Sequence, residues 1–333
     1  MNGCVYQGNV TRSVMKTLLC LMLFVGLLYA TTQAQRPSFV LEAQRTKSPL
    51  KIDGVLDEQA WEQAAFASPF INKWPIDSGL APLQTKVRVL FDNEFLYVAA
   101  INEQRQGDLI IQSLKRDQLE AFWSSDAFAI VLDPINQRTN GFLFGVNAAG
   151  AQLESALTVQ GSWTRGNENW DNKWFSATTI HEDHWVAEFA IPFASLRFKD
   201  GAPEWGLNFV RADMKNNVYS TWSQVPLQFN GVDLGHTGTL RWVEKFVPEK
   251  SRLTLIPFAS SSFAQSREET VEDPWRFGAG LDAKVAVSSS LNLDLTLRPD
   301  FSNVEVDRQM TNVTRFSLFF PERRNFFLEN TGV

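Results

Sequence analysis

Cysteine is almost absent from this 333-residue sequence, which contains only Cys4 and Cys20. Both lie in an N-terminal segment in which Lys16 precedes an apolar run over residues 17–29 and small residues lead to Ala34. This pattern predicts a signal peptide that is cleaved after Ala34, with an uncleaved anchor as the alternative. The mature chain would then have no disulfide, no thiol nucleophile and no cysteine metal site.

The chain also lacks an excess of positive charge, since its formal net charge is -6. Removing the predicted signal peptide takes away two positive charges and no negative ones, which gives -8. An acidic chain without a basic cluster argues against nucleic acid or anionic lipid as a partner. Beyond the signal segment there is no apolar run of about 20 residues, which excludes a membrane-spanning helix. Neither a nucleophile elbow, a zinc-protease motif nor a phosphate loop occurs.

Aromatic residues and alternating patterns are abundant, with 11 Trp and 26 Phe in the chain. Helical periodicity is confined to residues 57–65, where Asp57 is placed to cap a short helix around Trp61. Strand patterns joined by turns predict an all-β fold, a β-sandwich over residues 39–243. The tryptophans within periodic apolar segments, Trp61, Trp185 and Trp205, are predicted to be core. The predicted strands cover residues 85–90, 95–101, 127–132, 141–147, 152–157, 174–181, 185–191, 205–213 and 219–224.

The last 80 residues have a different pattern. Residues 253–263, 275–287 and 291–297 alternate, so that Phe277 and Leu281 fall on one side and Gly278 and Asp282 on the other. Alternation over about ten residues is typical of an outer-membrane barrel strand. A few such strands cannot close, and an open edge in lipid leaves backbone groups unsatisfied. The pattern in residues 251–333 therefore predicts the first strands of an incomplete outer-membrane-type β-barrel. The chain is accordingly predicted to be a fragment of a larger protein.

Three segments resemble the family 9 carbohydrate-binding modules. They are residues 52–58 (IDGVLDE) with Trp61, residues 91–98 (FDNEFLYV), and residues 123–128 (WSSDAF). The resemblance implies a β-sandwich that grips sugar chain ends between tryptophans, often carries structural calcium and accompanies glycoside hydrolases. Members that bind carbohydrate place an acidic residue one position after the residue aligned with Phe128, whereas this chain has Ala129.

A longer resemblance involves residues 174–198, which contain EFAIPFASLRF, and residues 298–329 (RPDFSNVEVDRQMTNVTRFSLFFPERRNFFLE). Both are similar to domain of unknown function family 5916, whose secreted bacterial members join such a sandwich to an outer-membrane-like barrel. The resemblance implies export to the outer membrane of a Gram-negative bacterium. The sandwich would face either the periplasm or the cell surface.

The first resemblance implies a sugar site with Trp123 as one stacking wall, and Trp222 is a candidate for the second wall. Asp126, Arg116 and Gln224 are candidates to fix the sugar hydroxyls, because a sugar needs directed polar partners as well as an apolar face. The alternative is that Trp123 caps the sandwich and Trp222 belongs to its core.

Calcium would need six to eight oxygen ligands. Asp53, Asp57 and Glu58 form one acidic cluster, and Glu168 with Asp171 forms another. Neither has the spacing of a calcium loop, so both are weak candidates for a metal site.

Three hypotheses for the function follow. The leading one is a non-catalytic module on an outer-membrane barrel that binds or guides a glycan. The second is an enzyme of carbohydrate catabolism that hydrolyses O-glycosyl bonds, although no carboxylate pair is singled out by its spacing. The third is a structural plug or assembly domain without a ligand. Exposure of Trp123 and Trp222, and a pocket between them, would distinguish binding from a structural role.

Overall fold

The computed structural model describes residues 39–105, 107, 109–167, 170–199, 201–246, 253–263, 275–286 and 292–298. The predicted signal peptide, both cysteines and Glu168 lie outside these residues. Within them, no helix is both long enough and apolar enough to cross a membrane.

Seventeen strands and two short α-helices are described, with 3-10 turns at Phe193–Ser195 and Leu234–His236. The helices are α1 (Gln59–Gln63) and α2 (Leu119–Trp123). The strands are β1 (Val40–Arg45), β2 (Phe66–Ala67), β3 (Ile71–Trp74), β4 (Thr85–Phe91), β5 (Phe95–Glu103), β6 (Ala127–Asp133), β7 (Asn140–Asn147), β8 (Gln152–Gln160), β9 (Trp163–Asn167), β10 (Phe175–Ile180), β11 (His184–Pro192), β12 (Glu204–Asp213), β13 (Val218–Thr221), β14 (Gly238–Trp242), β15 (Leu253–Phe263), β16 (Trp275–Ala286) and β17 (Asn292–Leu297).

Fourteen of the strands form one curled sheet that folds back on itself as a sandwich. Layer A contains β14-β12-β6-β7-β8-β9 with β13 and β3 attached, and layer B contains β10-β11-β5-β4 with β2 attached. Strand β1 joins the layers, because residues 40–43 pair in parallel with β14 and residues 44–45 pair in parallel with β4. The predicted all-β sandwich is confirmed.

Strand β6 shows how the sequence builds two apolar surfaces. Phe128, Ile130 and Leu132 point between the layers into the main core, while Ala129 and Val131 belong to a second apolar cluster on the other face of layer A. All seven residues of the strand are therefore buried, which explains its continuous apolar sequence. The second cluster is covered by α2 and by the segment before the second 3-10 turn.

The core tryptophans were predicted correctly, since Trp61, Trp185 and Trp205 are all fully buried. The predicted cap of α1 is wrong. Glu58 rather than Asp57 occupies the N-cap position, and no side chain caps the helix.

Strands β15, β16 and β17 form a separate three-stranded antiparallel sheet. Its register places Phe277 and Leu281 on one face and Gly278 and Asp282 on the other, as the alternation predicts. The first face carries exposed apolar side chains along all three strands. Those more than two-fifths exposed are Leu255, Phe263, Trp275, Phe277, Leu293, Leu295 and Leu297. An apolar face of this kind is unusual for a sheet in water.

Candidate functional site

A cavity of about 500 Å³ opens on the face of layer A that points away from the main core. Leu143 of β7, Leu157 of β8 and Val210 of β12 form its apolar floor. Helix α2 contributes Leu119 and Trp123 to one wall, and the segment 227–232 forms another. Because the inner and outer residues of each strand alternate, the cavity is separated from the core by the thickness of layer A.

Three aromatic side chains follow one another along this cavity. The ring centroids of Trp123 and Tyr219 are 6.2 Å apart, and the Tyr219 hydroxyl donates a hydrogen bond of 2.6 Å to the backbone oxygen of Trp123. Burial raises the pKa of this phenol. Tyr219 in turn pairs across the strands with Trp74, whose side chain is 46% exposed. Together they provide flat apolar surface beside the apolar floor.

Most polar side chains that line the cavity already make hydrogen bonds within the protein. The Thr164 hydroxyl already bonds Asp233, and the Ser155 hydroxyl donates to the backbone oxygen of Asn167. Lys73 and Asn230 also line the cavity. Their amine and amide groups are therefore the main polar groups available to a ligand.

Asp77 connects two segments beside the cavity through hydrogen bonds. Asp77 accepts a hydrogen bond of 2.7 Å from the Leu227 amide, and its own backbone oxygen accepts one of 3.2 Å from Gln224 Nε2. The loop that follows β3 is thus tied to the segment that follows β13. A site fixed in this way requires little ordering when a ligand binds.

Of the two predicted stacking walls, only Trp123 lines the cavity. Trp222 is 3% exposed and packs in the main core against Phe39 and Phe209. Its indole has no free face for a sugar, so Trp222 is corrected to a core residue. Trp74 and Tyr219 are instead the aromatic neighbours of Trp123.

Asp126 and Gln224, two of the predicted polar partners of the sugar, make hydrogen bonds within the protein. Asp126 is buried and accepts a hydrogen bond of 2.6 Å from the Ile110 amide, and burial raises its pKa to about 6. Gln224 is exposed but uses its amide to hold the loop after β3. Neither side chain lines the cavity. Asp126 is therefore a buried residue that supports the fold, and the role of Gln224 as a ligand contact stays a prediction.

Arg116 is likewise engaged within the protein. Its guanidinium bonds the buried carboxylate of Glu154, lies 3.0 Å from Asp171 and lies 3.2 Å from Asp117. It also donates to the backbone oxygen of Asn172. Arg116 does not line the cavity, and its contacts anchor the loop between β9 and β10. Its role as a sugar contact stays a prediction.

The part of the chain that the structure describes holds no calcium site. Among the described residues, no three or more acidic, histidine or cysteine side chains are grouped to hold a metal ion. The Asp53 carboxylate lies 2.6 Å from the ammonium of Lys51, and Glu58 accepts a hydrogen bond from the Lys51 amide. Asp57 is exposed. Glu58 Oε2 is buried without a hydrogen-bond partner among the described residues. The predicted metal cluster of Asp53, Asp57 and Glu58 is therefore not assembled, since Asp53 and Glu58 each bond Lys51 separately.

A different carboxylate shapes that turn. Glu188 is fully buried on β11, and its Oε2 accepts hydrogen bonds from the amides of Asp53 (3.0 Å) and Gly54 (2.9 Å). Burial raises the pKa of Glu188 to about 7. Gly54 has a φ of +81°, which favours glycine. The Ile52-Asp53-Gly54 turn is thus fixed to β11 by the Glu188 carboxylate.

A second cavity, of about 440 Å³, lies on layer B. Trp174, its only tryptophan, is 4% exposed and stacks on Phe189. The Tyr97 hydroxyl there already donates to Asp92. With no exposed indole face, this cavity is a poorer site than the one beside Trp123.

The sequence alone missed Lys73, Trp74, Tyr219 and Asn230 as site residues. Lys73 and Trp74 belong to a strand of only four residues, too short to show a period. The pairing of Trp74 with Tyr219 joins segments far apart in the chain. A lysine directly before a tryptophan was the one available signal.

Comparisons with family models bear on both parts of the chain. The model described as carbohydrate family 9 binding domain-like matches residues 52–225, more than half of the chain. The model described as domain of unknown function (DUF5916) matches residues 249–333, most of which lie outside the described residues. No match was found among curated proteins.

Solved structures with similar folds include a family 9 carbohydrate-binding module from Caldicellulosiruptor kristjanssonii in complex with glucose. It is 18% identical over 61% of this chain and 95% of that chain, with a TM-score of 0.45. Another is a candidate carbohydrate-binding protein from Bacteroides uniformis, 12% identical over 62% of this chain and 99% of that chain, with a TM-score of 0.50. The similarity to the Bacteroides uniformis protein concerns the fold alone.

Proposed function

The chain belongs to the carbohydrate family 9 binding domain-like family, and from this premise we propose that the cavity beside Trp123 binds a glycan. The observation that carries the proposal is the row formed by Trp123, Tyr219 and Trp74 along a preformed cavity. Flat indole faces pack well on the apolar face of a sugar ring, and aromatic groups contribute much of the binding energy at such sites. The function is recognition, with no catalytic step.

The proposal is tested by replacing Trp123 with alanine. We expect affinity for glycans that bind the intact chain to fall by about tenfold or more, because the ring supplies stacking surface at the centre of the site. Binding would be measured by calorimetry after screening a broad polysaccharide panel. Trp163→Ala is the matched control, since Trp163 is 52% exposed but does not line the cavity.

No binding to any glycan in the panel would contradict the proposal. Loss of binding in Trp163→Ala but not in Trp123→Ala would move the site elsewhere. Circular dichroism of both variants would separate a lost contact from a lost fold, because Trp123 also packs edge-on against Phe122.

We further propose that the chain is exported and that its C-terminal strands enter an outer membrane as the start of a barrel, so that the module is presented at that membrane. The support is the apolar face of the β15–β17 sheet, where Phe277 is 80% exposed. The opposite face carries Asp282 and Thr296, which hydrogen-bond each other. One apolar and one polar face is the pattern of strands between lipid and a polar lumen.

Two neighbouring residues of β17 test the membrane proposal. Leu295 lies on the apolar face and Thr296 on the polar face. We expect Leu295→Arg to reduce recovery of the full-length protein in outer-membrane fractions severalfold, because a charge facing lipid is destabilising. Thr296→Arg should leave recovery nearly unchanged. Equal recovery of both variants, or recovery of the unmodified protein only in soluble fractions, would contradict the proposal.

A further inference from the structure

Lys73 has an unusual position for a lysine. Its side chain is 5% exposed and lines the cavity beside Trp123. Its Nζ donates one hydrogen bond, of 3.3 Å, to the backbone oxygen of Leu227. Among the described residues that line the cavity, it is the only charged one. None of the ion pairs within 4.0 Å among the described residues includes Lys73.

An ammonium group has three protons to donate, and burying it without an opposite charge is unfavourable. Burial accordingly lowers the pKa of Lys73, while the charge of Asp77 partly opposes this. The Asp77 carboxylate is itself engaged by the Leu227 amide. Two donors of Lys73 therefore remain for a group that enters the cavity, and a negatively charged group would match them best.

The amide of Asn230 supplies the complementary acceptor. Its Nδ2 donates a hydrogen bond of 2.6 Å to the backbone oxygen of Thr164, which fixes the orientation of the amide. Its Oδ1 is shielded from water and has no hydrogen-bond partner among the described residues, so a ligand hydroxyl reaches it only when the cavity lining shifts. Leaving such an acceptor unsatisfied is costly, and a hydroxyl group would satisfy it.

We infer that the site selects an acidic sugar, a uronate residue whose carboxylate pairs with Lys73 and whose hydroxyl donates to Asn230 Oδ1. The ring would pack on the aromatic row formed by Trp123, Tyr219 and Trp74. A neutral sugar would offer the same ring but would add no negative charge to that of Asp77 beside Lys73. The inference rests on the proposed function, because it names the class of glycan at that same cavity.

The unmodified protein provides the first test. Tetrasaccharides of galacturonate, mannuronate and guluronate would be titrated by calorimetry, each beside its neutral methyl ester, together with cellotetraose and a sulfated tetrasaccharide. We expect at least one uronate to bind roughly tenfold or more tighter than its own ester, since a charge-assisted hydrogen bond is lost on esterification. The ratio should fall as salt is raised.

Variants test the residue itself. Lys73→Met keeps most of the side-chain volume and removes the charge, so the uronate and its ester should then bind equally. Lys86→Met is the matched control, because Lys86 is an exposed lysine on β4 and does not line the cavity. It should keep the preference of the unmodified protein.

The outcomes separate this inference from the proposed function. If neutral glycans bind in a Trp123-dependent way and no uronate exceeds its ester, the uronate inference is wrong and the proposed function stands. If no glycan of either kind binds, the proposed function fails first. Equal binding of the sulfated tetrasaccharide would show that the site recognises negative charge in general, which overturns the choice of a carboxylate.

Discussion

Replacing Arg211 with methionine should lower the free energy of unfolding by about 3–5 kcal/mol, the range found when one partner of a buried charged network is removed. Arg211 lies on β12 and is 2% exposed. Its guanidinium Nη1 donates to the backbone oxygens of Leu83 (3.3 Å) and Gln84 (3.0 Å) and to the Thr85 hydroxyl. Nη2 donates to the backbone oxygen of Glu103.

Those acceptors all belong to layer B or to the segment that enters it, whereas Arg211 belongs to layer A. The Arg211 side chain therefore joins the two layers by hydrogen bonds at one end of the sandwich. Methionine would fill much of the space but would leave four oxygens without this donor, and each unsatisfied buried group adds to the loss. The loss should appear as a lower midpoint in urea with an unchanged slope, because the folded architecture remains.

The loss should also depend on pH. Burial raises the pKa of Asp126 to about 6, and the charge of Arg211 opposes that rise. Because the pKa of Asp126 is higher in the folded than in the unfolded chain, its ionisation reduces stability as the pH rises through about 6. Without Arg211 this reduction becomes larger, so the variant should lose more stability at pH 8 than at pH 5.

Arg241→Met is the matched control for this prediction. Arg241 pairs with Glu204 on the surface, at 2.8 Å, and its side chain is half exposed. Exposed ion pairs contribute about 0–1 kcal/mol, so this variant should remain close to the unmodified protein. Equal losses in the two variants would show that Arg211 is not a specific link between the layers.

Much of the sandwich follows from local patterns in the sequence. Strands β4, β5, β6, β11 and β12 were predicted within two residues of their bounds, because each is a long apolar or alternating run between turn residues. Strands β1, β2, β3, β9 and β14 were missed, and so was helix α2. These elements are short, and they form because a long-range partner offers a ladder or a surface, which a local window does not contain.

The site was harder to predict for the same reason. Trp123 and Trp222 look alike in sequence, since each lies next to polar residues. The structure separates them because Trp123 ends a helix on the outer face of layer A, while Trp222 packs between the layers. The cavity itself depends on the pairing of β3 with β13, which no spacing reveals. Polar residues that resemble ligand contacts, such as Asp126 and Arg116, are partners of other buried groups.

A second buried charge links the layers elsewhere, and Glu154→Gln should lower the free energy of unfolding by about 2–3 kcal/mol. Glu154 lies on β8 and is 1% exposed. One carboxylate oxygen bonds Arg116 and the Asn172 amide, and the other accepts a hydrogen bond of 3.0 Å from the Trp174 indole. Trp174 stacks on Phe189 of layer B, so the carboxylate fixes the segment that leads from layer A into layer B.

Glutamine has nearly the same shape as glutamate but only one acceptor oxygen, whereas the donors approach both carboxylate oxygens. Whichever way the amide turns, either Trp174 or Arg116 faces an NH2 group. Glu204→Gln is the control, because it makes the same change in the surface pair with Arg241 and should cost less than about 1 kcal/mol. Arg116→Met should lower the free energy of unfolding less in the Glu154→Gln background than in the unmodified protein. The reason is that Glu154→Gln has already removed the carboxylate that bonds the Arg116 guanidinium. Additive losses would instead mean that Glu154 acts through Trp174 alone.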